Sequence, residues 1–115
     1  MRILYALSLM LALSVGPSAL AQQTNLEARY VKACIKDGDT DAFCRCEFAN
    51  TRKAVKDDKE LAWVVDVSEK VAGQSEEQVG AILKQLPPEQ LQRIRALSEE
   101  LEPLSKKCPD YKEKK

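Results

Sequence analysis

Histidine is absent from the 115-residue sequence, and neither sign of charge dominates it, with 18 basic and 18 acidic residues. Without imidazole, the chain lacks the commonest general base and the commonest metal ligand of proteins. It also has no Gly-x-Ser-x-Gly elbow and no phosphate-binding loop. We therefore predict a protein that is not an enzyme, with no catalytic residue and no cofactor. The balanced charge predicts no nucleic-acid partner.

Long apolar runs are also missing. The uncharged apolar segment Ile3–Val15 is interrupted by Gly16 and Pro17, well short of the ~20 residues that span a bilayer. Arg2 precedes this segment, and Ala19-Leu20-Ala21 follows it with small residues at the two positions that a signal peptidase reads. We interpret residues 1–21 as a cleaved secretory signal. This predicts a periplasmic or secreted protein with no stable membrane insertion after cleavage.

The predicted mature chain is a single small domain, residues 22–110, followed by a charged flexible tail, residues 111–115. A chain of this size hides only about 60% of the surface that its unfolded form exposes. Hydrophobic burial is therefore limited, and we expect covalent links to contribute to stability.

Apolar residues in the predicted domain recur every three or four positions, which is the period of an amphipathic helix. Residues that favour helix N-termini introduce most of these runs: Thr24, Thr40 or Asp41, Asp57 and Ser75. The first helix is expected to begin at about Asn25, and Pro88 suits the first turn of the last one. No strand alternation occurs. The sequence predicts an all-α bundle of four to five helices, and leaves open whether the second and third helices are continuous.

The four cysteines, Cys34, Cys44, Cys46 and Cys108, are an even number in a short exported chain, which is typical of a disulfide framework. Cys44 and Cys46 are expected in different bridges, because side chains two residues apart on a helix point about 200° away from each other. An antiparallel hairpin of the first two helices places Cys34 and Cys44 at equal heights. We therefore favour Cys34 with Cys44 and Cys46 with Cys108. The alternative joins Cys34 to Cys46 and Cys44 to Cys108.

Alternating aspartates, Asp37, Asp39 and Asp41, resemble the start of a calcium loop. The resemblance ends at Ala42, where that loop requires glycine, and at Phe48, where it requires a bidentate glutamate. We expect this segment to cap the second helix and complement its dipole instead. The cysteines are not spaced as two close pairs of zinc ligands. No metal site is predicted.

The segment from Tyr30 to Cys46 combines a helix that carries Cys34, a polar turn, and Cys44-Arg45-Cys46 on the next helix. This pattern resembles a motif of small exported bacterial helical proteins of unknown function. The resemblance covers residues 30–46. It implies a helical hairpin joined by a disulfide, and it implies no activity.

The third predicted helix gathers apolar and small residues on one side: Leu61, Val64, Ser68, Val71 and Ala72. Trp63, the only tryptophan, falls near the opposite side with Lys70, and Val67 lies between the two faces. Tryptophan is enriched among the residues that anchor protein interfaces. We predict that Trp63, Val67 and Lys70 bind a partner. The alternative is that another helix, such as the one that carries Phe48, buries Trp63.

These features together favour a non-enzymatic exported protein that binds another protein, as inhibitors and immunity proteins do. A stress-related periplasmic chaperone is one alternative, and it would need apolar surface that can be exposed. An envelope structural component is another. The sequence does not identify the partner.

The exported protein is expected to begin at Gln22, because Ala19 and Ala21 are the small pair directly after the apolar segment. Intact-mass spectrometry measures this on protein recovered after export from cells that express the full chain. A mass that retains residues 1–21 would contradict the assignment of the signal.

Overall fold

Five α-helices account for most of this computed structural model, which describes residues 18–113, with side chains from residue 25 onward. They are α1 (Ser18–Lys36), α2 (Asp41–Ala54), α3 (Asp58–Val71), α4 (Glu76–Lys84) and α5 (Pro88–Ser105). No strand occurs in this part of the chain. The predicted all-α class is confirmed. The predicted apolar segment of the signal lies outside the described residues.

Three of the predicted helix starts coincide with N-caps in the structure. Thr40, Asp57 and Ser75 precede α2, α3 and α4, and each side chain accepts a hydrogen bond from the backbone N–H three residues further on. Ser75 forms a complete capping box, because the side chain of Gln78 also accepts from the Ser75 backbone. These bonds satisfy donors that have no partner inside the helix. The sequence pattern of N-caps thus locates α2, α3 and α4.

The start of the first helix was predicted wrongly. The structure begins α1 at Ser18, so Thr24 lies inside the helix and is not its N-cap. The intervening residues are mainly alanine, leucine and glutamine, which favour a helix and outweigh the weaker capping signal.

The sequence left open whether the second and third helices are continuous, and the structure shows that they are separate. Val55 adopts an extended backbone, with φ −74° and ψ 156°, and separates the two helices.

Helix α2 lies between α1 and α5 and is bonded covalently on both sides. One disulfide joins Cys34 of α1 to Cys44, and the other joins Cys46 to Cys108, which follows α5. The two Cα atoms are 5.8 Å apart in each bridge, and no cysteine is free. This is the pairing that the hairpin geometry favours. The bridges span 10 and 62 residues, for which loop closure gives about 3 and about 4 kcal/mol of stabilisation.

The apolar interior consists of two small clusters. The first lies where α1, α2 and α3 meet: Leu26, Tyr30, Phe48, Leu61 and Val65. The second surrounds the disulfides: Val31, Phe43, Cys44 and Cys108. Cys34 packs against both clusters, so the Cys34–Cys44 bridge connects them.

The C-terminal segment folds back onto the turn between α1 and α2. Thr40 Oγ1 donates to Asp110 Oδ2 at 2.9 Å, and the rings of Phe43 and Tyr111 lie 6.3 Å apart. Lys112 Nζ donates to the Gly38 carbonyl at 3.4 Å. The prediction of a free tail from residue 111 is therefore wrong for its first residues, because the Cys46–Cys108 bridge holds this segment beside α2. Residues 114–115 lie outside the described part.

Arg93 links three helices through polar contacts. Its Nη2 donates to Glu60 Oε1 at 2.6 Å, at the start of α3, and to the Ala54 carbonyl at 3.4 Å, at the end of α2. The Glu60 side chain is only 13% exposed, so solvent screens this ion pair less than a surface pair. The hydrogen bond from Arg93 lowers the pKa of Glu60 below its ordinary value.

We expect Glu60→Gln to destabilise the protein by about 1–2 kcal/mol at neutral pH, because the neutral amide loses a charge-assisted hydrogen bond. Since folding lowers the pKa of Glu60, this contribution is present above the ordinary carboxyl pKa of 4.5 and is lost as the pH falls through the folded-state pKa. Urea unfolding of both proteins at neutral and acidic pH measures the difference. Glu113→Gln, at an exposed position after α5, is the control. A difference that does not change with pH would contradict the role assigned to the ion pair.

Candidate functional site

The three residues predicted to bind a partner differ in exposure. Trp63 is half-buried, Lys70 is exposed, and Val67 is 7% exposed. Trp63 and Lys70 are seven residues apart on α3 and therefore lie on one face of the helix. Val67 lies between them along the helix but belongs to the interior. The prediction that Val67 offers surface to a partner is therefore wrong.

Val67 is buried because α3 is covered on two sides. Leu61 and Val65 pack in the cluster shared with α1 and α2, whereas Val67 points about 200° away from Val65. The other main neighbour of α3 is α4, which follows it after the turn at Gly73. Phe48, whose helix was the alternative cover for Trp63, packs with Leu61 and Val65 on the opposite side. The partial cover of Trp63 therefore does not come from that part of α2.

Charge is distributed unequally around α3. Arg29 Nη2 donates to Asp66 Oδ1 at 2.6 Å and also to Glu69, so both carboxylates are paired with α1. The hydrogen bonds that Arg29 donates to Glu69 and Asp66 raise the pKa of Arg29. Within the described residues Lys70 forms no ion pair. The face that carries Trp63 therefore has a free cation at one end.

A cavity of about 440 Å³ lies between α1, α2, α3, α5 and the C-terminal segment. On one wall the Tyr30 hydroxyl donates to Glu47 Oε1 at 2.7 Å, and burial raises the pKa of Tyr30. Asp39 and Glu102 also line this cavity. Its lining thus mixes acidic and aromatic side chains with serines, small apolar residues and Lys112.

The aspartates that resemble a calcium loop are used within the fold. Asp37 Oδ1 accepts from the Gly73 backbone at 2.7 Å, and Asp41 Oδ2 accepts from Arg45 Nε at 2.8 Å. Across residues 18–113, no group of three cysteine or carboxylate side chains is placed to hold a metal ion. The first of these contacts fastens the end of α1 to the end of α3, where Gly73 adopts a left-handed backbone with φ 72°.

A groove of about 450 Å³ between α4 and α5 was not predicted from the sequence. Gly80 and Leu83 of α4 face Leu91 and Ile94 of α5 across it. Three charged residues also line it: Lys84, Arg95 and Glu99. No residue of α4 is fully buried, and a side chain at Gly80 would meet nothing within 4 Å. The sequence signal that could have indicated this groove is Gly80, a glycine inside an amphipathic helix.

None of the helices in the described range is both long enough and apolar enough to cross a membrane. In comparisons with known proteins, the chain matches no family model, no curated protein and no solved structure. Function is therefore inferred from the residues and contacts above.

Proposed function

We propose that this chain is an exported, non-enzymatic protein that acts by binding another protein, as inhibitors and immunity proteins do. The observation that carries the proposal is the half-buried Trp63 on the side of α3 opposite Leu61 and Val65, two helical turns from Lys70, which forms no ion pair in the described residues. A tryptophan that is packed on one side and accessible on the other loses little entropy when a partner covers it.

The frame behind Trp63 supports this proposal. Two disulfides fix α1, α2 and the segment after α5, and Arg29 fastens α3 to α1. A surface whose backbone is already ordered loses less conformational freedom on binding than a mobile one. Disulfides persist mainly in oxidising compartments, which supports a periplasmic or secreted location.

The geometry favours a specific partner over the chaperone alternative. A chaperone needs extensive apolar surface, whereas Ile35 and Leu104 are the large apolar side chains exposed in the described range. They are 46% and 37% exposed and lie on different helices. Isolated apolar residues of this kind are normal on soluble proteins.

We expect Trp63→Ala to weaken capture of the partner at least tenfold, because truncation of an anchoring tryptophan often costs about 2 kcal/mol or more. The oxidised protein, immobilised and exposed to periplasmic extract, should retain one stoichiometric partner. Lys70→Glu should also weaken capture while leaving thermal stability nearly unchanged, since Lys70 is exposed.

Val67→Ala is the matched control on the same helix. It removes buried apolar surface, so it should lower stability more than Lys70→Glu does, and the folded protein should still capture the partner. Capture that is unaffected by Trp63→Ala, or the retention of many unfolded clients instead of one partner, would contradict the proposal.

A further inference from the structure

The groove between α4 and α5 has apolar side chains on both walls and two cationic side chains among its lining residues. Leu83, Leu91 and Ile94 line its walls, and all three are half-buried. Its volume of about 450 Å³ lies within the ~300–1,000 Å³ typical of small-molecule sites. Trp63 does not line the groove, so a ligand here would be separate from the proposed protein interface.

Lys84 and Arg95 lie on opposite sides of this groove, one on α4 and the other on α5. In the described chain neither of them forms an ion pair. One acidic residue, Glu99, lies one helical turn beyond Arg95 and also forms no ion pair there. The apolar walls and the two cations are complementary to a molecule with a hydrocarbon chain and an anionic head.

The dimensions favour a single alkyl chain. The α5 wall runs from Leu91 to Glu99, which is about 12 Å of helix at ~1.5 Å per residue. Gly80 leaves the α4 wall open, because a side chain there would meet nothing within 4 Å. This space admits a chain that lies along the groove, where Lys84 lines the α4 wall and Arg95 the α5 wall.

We propose that the α4–α5 groove binds a monomeric anionic amphiphile, such as a medium-chain fatty acid, with its chain against Leu83, Leu91 and Ile94 and its carboxylate near Lys84 and Arg95. The carboxylate of a free fatty acid and the anionic headgroup of a membrane lipid share this chemistry. We commit to the monomeric ligand, because the α5 wall is only about 12 Å long, which suits one alkyl chain.

The test measures binding of decanoate to the oxidised, exported protein by titration calorimetry, below the concentration at which decanoate forms micelles. Decanol and decyltrimethylammonium, which have the same chain with a neutral and a cationic head, are the matched ligands. Decanoate should bind at least tenfold more tightly than either. Lengthening the chain from octanoate to decanoate should strengthen binding by roughly fourfold per added methylene.

Four variants assign the site. Gly80→Leu should abolish binding by filling the groove, whereas Arg95→Gln should weaken it several-fold. Glu99→Gln should strengthen binding of decanoate, because it removes a negative charge from the lining of the groove. Arg52→Gln, at an exposed position on α2, should leave it unchanged. Circular dichroism of each variant checks that the fold is retained.

Several results would overturn the proposal. Equal affinity for the anionic, neutral and cationic ligands would show that charge plays no part. Decanoate binding that survives Gly80→Leu in a folded protein would place the ligand elsewhere. Binding to vesicles of anionic phospholipid without binding to monomeric decanoate would assign the surface to a membrane.

Discussion

The structure depends on one constraint, the placement of two cysteines two residues apart on α2. The helix turns by about 200° between Cys44 and Cys46, so they bond in opposite directions. Cys44 closes the hairpin with α1, and Cys46 holds the segment that follows α5. The two apolar clusters are small, and Cys34 packs against both of them. Apolar burial alone is limited in a chain of this length, and the two disulfides add to the stability of its small interior.

The same constraint divides the molecule into a covalently fixed part and a less constrained part. Helices α3 and α4 contain no cysteine. Helix α3 is held by Leu61 and Val65 in the first apolar cluster and by the ion pairs of Arg29 with Asp66 and of Arg93 with Glu60. Both candidate surfaces involve these helices, since Trp63 lies on α3 and the groove lies between α4 and α5. A fixed frame that presents partly covered apolar residues on its neighbouring helices is consistent with a binding protein, because the frame limits the entropy lost on association.

Much of the architecture could be predicted because it is encoded locally. Thr40, Asp57 and Ser75 cap the helices that they were expected to cap. The helical spacing of Cys44 and Cys46 places them in different bridges, and the hairpin of the first two helices favours the observed pairing. The failures involve contacts between distant parts of the chain. Val67 was assigned to the partner-binding surface because periodicity on one helix does not show which side the neighbouring elements cover. Tyr111 was assigned to a free tail because its ring contact with Phe43 depends on a disulfide between cysteines that are 62 residues apart in the sequence.

Peptide mapping of the oxidised protein without reduction tests the central claim most directly. Proteolysis between Cys44 and Cys46, at Arg45, separates the two cysteines onto different fragments while their bridges stay intact. The structure predicts one disulfide-linked pair of fragments that contains Cys34 and Cys44, and a second that contains Cys46 and Cys108. A fragment pair that links Cys34 to Cys46, or the recovery of free thiols, would contradict the account.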